Sequence, residues 1–133
     1  MIYLDTSALV KLVIDEEESV ALIDWLGINA DALKVTSQLA HVELIRACNR
    51  LDDTLTPFAR SLLSGIGSIP ITSNVLNIAS DLKPYELRSL DSIHLASAIS
   101  IGSSLSYFVA YDLRLCAAAG EAGFSVESPS RVD

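Results

Sequence analysis

Cysteine is nearly absent. The 133 residues hold only Cys48 and Cys116. Each lies in an apolar stretch, so both read as small core residues, not as a disulfide framework or a zinc site. Clustered histidine is missing too: His41 and His94 stand alone in apolar helical segments and read as packed or partly exposed residues, not as ligands. Basic residues are scarce. Nine lysines and arginines against seventeen aspartates and glutamates leave a net charge of −8. That excludes a protein gripping nucleic acid through a broad basic face. It leaves open a site whose acids are neutralised locally by metal ions or by a basic partner. No apolar run approaches the ~20 residues of a membrane-spanning helix, and no basic segment with a long apolar core leads the chain. The expectation is a reduced, cytoplasmic protein with no membrane association.

What is present suffices for a core. Half of the residues are hydrophobic but only 6% are aromatic, so the core is aliphatic. A chain of this length reads as one domain, residues 1–133. Patterning predicts strands over 2–4, 33–36, 68–71, 106–111 and 124–126. Between them it predicts helices over 6–13, 19–26, 39–51, 56–65, 73–82, 91–101 and 113–119. Thr6 and Ser7 offer a cap for the first helix, Gly27 a stop for the second, and Gly120 or Gly123 a stop for the last. Pro70 suits a sheet edge. The acidic run Asp15-Glu16-Glu17-Glu18 reads as a solvated helix start, and the tail from Ser128 as frayed. Strands alternating with helices predict a parallel sheet flanked by helices, an α/β fold.

Four acids stand out against this frame. Asp5 follows the first strand and Asp112 the Tyr107–Tyr111 stretch, and both precede helices. Asp91 opens an apolar helix. Each of the three could be an N-cap. Equally, ligands in open α/β sheets collect at the carboxyl ends of the strands. Glu43 sits mid-helix between Val42 and Leu44, where no cap is available. It is either a solvated residue of the outer face or a fourth member of the cluster. Acids at strand ends and in apolar helices are costly unless a cation compensates them. A divalent metal is the usual compensator, and oxygen ligands suit Mg²⁺ or Mn²⁺.

The segment Tyr3-Leu4-Asp5-Thr6-Ser7-Ala8-Leu9-Val10-Lys11-Leu12 resembles the start of a PIN domain, in particular the VapC toxins of bacterial toxin–antitoxin pairs. Ser37 to Leu44 is similar to the segment carrying that family's helical glutamate. Ser89 to Ala98 resembles the block around its next acid, and Tyr111 to Gly120 the last block. The last block departs from the pattern in one respect: Tyr111 precedes its acid where Thr or Ser is usual.

The resemblance implies a PIN-like doubly wound parallel sheet in a single domain, with an acidic pocket binding Mg²⁺, for which Mn²⁺ substitutes. It implies an RNA substrate, a cognate VapB-like antitoxin and a homodimer. The antitoxin and the dimer contact are expected near the helices over 19–26 and 56–65. On this reading Asp5, Glu43, Asp91 and Asp112 are catalytic, with Asp5, Asp91 and Asp112 as metal ligands. Glu43 stands at the rim, acting through a bound water or as a general base. In-line attack by water leaves a 5′-phosphate and a 3′-hydroxyl. Ser7 is a ligand support or a cap. Lys11, Arg46, Arg88 and Arg114 either hold the RNA backbone or form surface ion pairs.

Other readings fit less well. A receiver domain needs an acid pair after the first strand and a lysine after a late one, but the lysines are Lys11, Lys34 and Lys83. A phosphatase of the Asp-x-Asp type fails because Ser7 occupies the second acid's position. The remaining alternative is a catalytically silent PIN-like binding module that acts through protein partners.

Overall fold

A computed structural model describes residues 1–131. Five strands form one sheet: β1 (Ile2–Leu4), β2 (Lys34–Ser37), β3 (Gly67–Ile69), β4 (Tyr107–Val109) and β5 (Val126–Glu127). All neighbours are parallel, in the order β3-β2-β1-β4-β5. The chain therefore winds outward from β1 in one direction and returns to its other side at β4. The crevice of such a sheet opens beyond the carboxyl ends of the two strands where the order reverses. Here these are β1 and β4, paired Ile2 to Tyr107, Tyr3 to Phe108 and Leu4 to Val109.

Seven helices cover the sheet: α1 (Thr6–Val13), α2 (Ser19–Ile28), α3 (Gln38–Leu51), α4 (Thr56–Ser64), α5 (Ser73–Asp81), α6 (Ser89–Ile101) and α7 (Leu113–Glu121). Side chains alternate across a strand, and both faces are buried, as a parallel sheet requires. Ile2 and Leu4 meet Leu9, Leu22, Leu44 and Ala59 on one face. Tyr3 points to the other, with Leu95, Phe108, Leu115 and Ala118. There its ring stacks on Phe108, centroids 5.0 Å apart.

Several boundaries differ from expectation, each for a local reason. Asp5, not Thr6 or Ser7, caps α1. Gly27 does not stop α2, which continues to Ile28; Asn29 ends it by returning its side-chain nitrogen to the Trp25 carbonyl at 2.9 Å. Likewise α7 passes through Gly120, and the chain turns at Gly123, whose φ of +97° favours glycine. Helix α6 begins at Ser89, so Asp91 lies within its first turn instead of opening it. The last strand lies one to two residues later than its expected span. The tail is tied at its start: Ser128 Oγ donates to the Ala110 carbonyl, and Tyr111 Oη to the Pro129 carbonyl at 2.7 Å. Its residues 132 and 133 lie outside the described residues. Strand β3 sits at the sheet edge, as Pro70 implies. No helix among the described residues is long and apolar enough to cross a membrane.

Candidate active site

Asp5 leaves β1 in an extended conformation and is 4% exposed. Its Oδ2 accepts from the Ser7 backbone N–H at 3.1 Å and from Ser7 Oγ at 2.7 Å. Its Oδ1 is 3.4 Å from His94 Nδ1. Asp112 repeats the arrangement after β4. Its Oδ1 accepts from the Leu115 N–H at 2.9 Å to cap α7, and its Oδ2 faces Arg88 Nη2 at 3.3 Å. Capping and site roles are thus compatible, because each carboxylate caps with one oxygen and turns the other away from its helix, Asp5 toward His94 and Asp112 toward Arg88.

Asp91 is not a cap. The cap position of α6 belongs to Arg88, which makes no side-chain capping bond. Asp91 Oδ2 lies 3.3 Å from Arg88 Nε. Burial pushes the Asp91 carboxyl above its ordinary range, and the charges of Asp5 and then Asp112 push the same way, outweighing Arg88. These three acids therefore share one electrostatic neighbourhood.

Glu43 is a partly buried residue of α3, not a solvated residue of an outer face. Its Oε1 accepts from Thr6 Oγ1 at 2.7 Å and from His94 Nε2 at 2.6 Å. Burial alone would raise its pKa, but the hydrogen bonds from His94 and Thr6 prevail and hold it below the usual glutamate value. His94 is buried, as expected, yet it is also the junction of the site. Its Nδ1 is 2.7 Å from Tyr3 Oη, and Thr6 Oγ1 is 3.2 Å from its Nε2. Burial disfavours the charged ring, but the neighbouring Glu43, Asp5 and Asp91 outweigh that and raise its pKa.

Sequence reasoning missed His94, Thr6 and Tyr3 as site residues. One signal was available: Asp91 and His94 are three apart on a helix and share a face. Ser7 ties the two central loops together, since its Oγ donates to Asp5 and accepts from the Tyr111 N–H at 3.0 Å. Lys11 faces elsewhere. It pairs with Glu18 at 2.8 Å and Glu16 at 3.5 Å, and lies 4.7 Å from the Tyr111 ring centroid. The acidic run is thus partly engaged, while Asp15, Glu16 and Glu17 remain exposed. Arg46 and Arg114 are exposed and form no ion pair among the described residues. Arg114 instead lines a largely apolar cavity of about 430 Å³ with Pro84, Leu87 and Ala117. Arg88 is the cation that meets the acids.

Among the described residues, no three acids, histidines or cysteines are drawn close enough to hold a metal ion as they stand. The donor set nevertheless fits a hard divalent cation. Asp5, Asp91 and Asp112 supply oxygens, and Arg88 is the one guanidinium among the described residues that pairs with any of them. Arg88 lies between Asp91 and Asp112, 3.3 Å from each. Its side chain is 72% exposed.

A family model described as PIN domain matches residues 2–121. A Mycobacterium tuberculosis protein named Ribonuclease VapC47 is 45% identical, over 99% of this chain and 99% of its own. Two solved structures share the fold. One is Mycobacterium tuberculosis VapC20, described as a sarcin–ricin loop cleaving toxin, with a TM-score of 0.73 at 17% identity, covering 93% of this chain and 96% of its own. The other is a toxin–antitoxin complex from Klebsiella pneumoniae, with a TM-score of 0.74 at 20% identity, covering 99% of this chain and 100% of its own.

Proposed function

Since the chain belongs to the PIN-domain family and is related along its whole length to a VapC ribonuclease, we propose that it is a metal-dependent ribonuclease, the toxin of a toxin–antitoxin pair. The observation that carries this reading is the meeting of Asp5, Asp91, Asp112 and Glu43 around the crevice beyond β1 and β4. Asp5, Asp91 and Asp112 would hold Mg²⁺ or Mn²⁺. A divalent ion held there would supply a water of lowered pKa and polarise a phosphoryl oxygen, which is the chemistry phosphodiester hydrolysis needs.

The protein's own groups divide the remaining work. Glu43 is kept ionised by Thr6 and His94. With Oε1 engaged by both Thr6 and His94, the remaining oxygen is the one left to orient water. Ser7 has both its donor and an acceptor position engaged, so it fixes Asp5 and does not bind phosphate. Arg88, once displaced, is the nearest guanidinium for the RNA phosphate. Arg46 and Arg114 give weaker backbone contacts further out.

The antitoxin is the basic partner that the net charge of −8 calls for. The exposed Val20, Ile23 and Ile28 of α2 and Phe58 of α4 give it, or a second copy of the chain, apolar surface to cover. Trp25 is partly buried against Tyr107 and is not part of that surface.

The test is incubation of the antitoxin-free chain with single-stranded RNA, with Mn²⁺ or with chelator, and chemical analysis of the new ends. The nuclease reading expects metal-dependent cleavage leaving 5′-phosphates. Partner binding without cleavage, indifferent to Asp5→Asn, would favour the silent binding module.

A further inference from the structure

We infer that Tyr3 and His94 are positioning residues for Glu43, acting as one buried relay. The Tyr3 side chain is fully buried in the core and His94 is 1% exposed, so neither is placed to bind RNA. Tyr3 Oη accepts from the Ser37 backbone N–H at 3.1 Å. Its own hydrogen is then left for His94 Nδ1, 2.7 Å away. With Nδ1 accepting, the ring hydrogen sits on Nε2 and is donated to Glu43 Oε1 at 2.6 Å.

The relay registers Glu43 twice. Ser37 is the N-cap of α3, the helix that carries Glu43. The Tyr3 hydroxyl thus fixes the start of that helix through its backbone and the end of the Glu43 side chain through the imidazole. Thr6 supplies a second donor to the same Oε1, leaving Oε2 as the oxygen available to the crevice.

Burying such a polar chain is costly unless every member is paired. Among the described residues no buried side-chain nitrogen or oxygen lacks a partner, so the network is complete. Phenylalanine and leucine would fill the same space without that cost. The polar groups therefore serve geometry, as hydrogen-bonded partners of ligands do in metal sites.

The experiment combines two readouts. Nitrogen-15 NMR of the metal-free chain, at alkaline pH where the ring is neutral, reports the His94 tautomer. Cleavage of a random-sequence single-stranded RNA pool with Mn²⁺ reports the rate. The expected tautomer carries its hydrogen on Nε2, and Tyr3→Phe releases it into a mixture. Tyr3→Phe also slows cleavage at saturating RNA by roughly ten- to a hundredfold, with the apparent KM unchanged. His94→Gln, which can still donate to Glu43, retains more activity than His94→Leu; a packing role predicts the reverse order and a wild-type rate for Tyr3→Phe. A hydrogen on Nδ1 in the wild type overturns the inference, as does a folded Tyr3→Phe with wild-type rate, or His94→Leu matching His94→Gln. The kinetic arm rests on the nuclease reading. If the wild type cuts no RNA, that reading fails, while the tautomers of wild type and Tyr3→Phe still decide the relay.

Discussion

His94 Nε2 stands 2.6 Å from Glu43 Oε1, joining α6 to α3 across the crevice at the carboxyl edge of the sheet. The contact keeps a glutamate in an apolar helix ionised and leaves one of its oxygens committed.

The pH dependence of that commitment has a definite sign. A carboxylate with a depressed folded pKa contributes stability that is present above its unfolded pKa and lost as pH falls through the folded one. Glu43 is such a group. The stability difference between metal-free wild type and Glu43→Gln is therefore expected to shrink below the ordinary glutamate pKa, and, because Glu43 also raises the His94 pKa, to shrink again as pH rises from the ordinary histidine range through that raised value. Denaturant unfolding across the acid range measures it. A difference that stays constant as pH falls below the ordinary glutamate pKa would contradict the assignment.

Asp91 has the opposite sign. Burial and the nearby Asp5 raise its pKa, so the metal-free chain loses stability as pH rises through that raised value. Asp91→Asn removes the repulsion, while the exposed Arg88 pair it also breaks is worth only about 0–1 kcal/mol. The variant is expected to be inactive, yet at neutral pH to melt at or above the wild-type temperature. Asp5→Asn is expected to behave similarly, since asparagine caps helices as well as aspartate does. A large loss of stability in both would mean that these acids serve structure alone.

Much of this was legible from the chain. Asp5 and Asp112 follow strands and precede helices, and capping chemistry locates them whatever else they do. Helix α3 is legible from its apolar spacing, and Pro70 places β3 at an edge. The start of α6 is not legible, because Arg88 is no capping residue and Asp91 three positions later imitates one. The role of His94 is hidden for a different reason. It depends on β1, α3 and α6 meeting in space, and local periodicity carries no record of that. Gly27 and Gly120 mislead because a helix tolerates glycine when the flanking residues sustain it.

On the proposed reading, Arg88 would compete with metal for Asp91 and Asp112. Arg88→Ala is expected to bind Mn²⁺ more tightly, by up to roughly fivefold if the lost competition amounts to about 1 kcal/mol. It is also expected to raise the apparent KM for RNA, because the proposed phosphate contact would be lost. Calorimetric Mn²⁺ titration of the metal-free variant checks the first part. Weaker Mn²⁺ binding would show that Arg88 supports the metal instead of displacing it.

Lys11 is engaged by Glu18 and Glu16 and lies over Tyr111. Lys11→Met is therefore expected to lower the melting temperature while leaving the cleavage rate and its salt dependence near wild type. Arg46→Ala should do the reverse, leaving stability unchanged and reducing the slope of log affinity against log salt by about 1 if Arg46 meets a phosphate. Salt-dependent RNA binding of the two variants separates these roles.

The claim on which the rest depends is that Asp5, Asp91 and Asp112 close on a divalent ion. A thermal melt of the antitoxin-free chain with and without Mn²⁺, beside Asp91→Asn, tests it most directly. At a metal concentration ten times Kd the wild type should gain about 1.4 kcal/mol, or roughly 3–6 °C, and the variant should gain little or nothing. No shift in the wild type at saturating Mn²⁺, or an equal shift in both proteins, would contradict it.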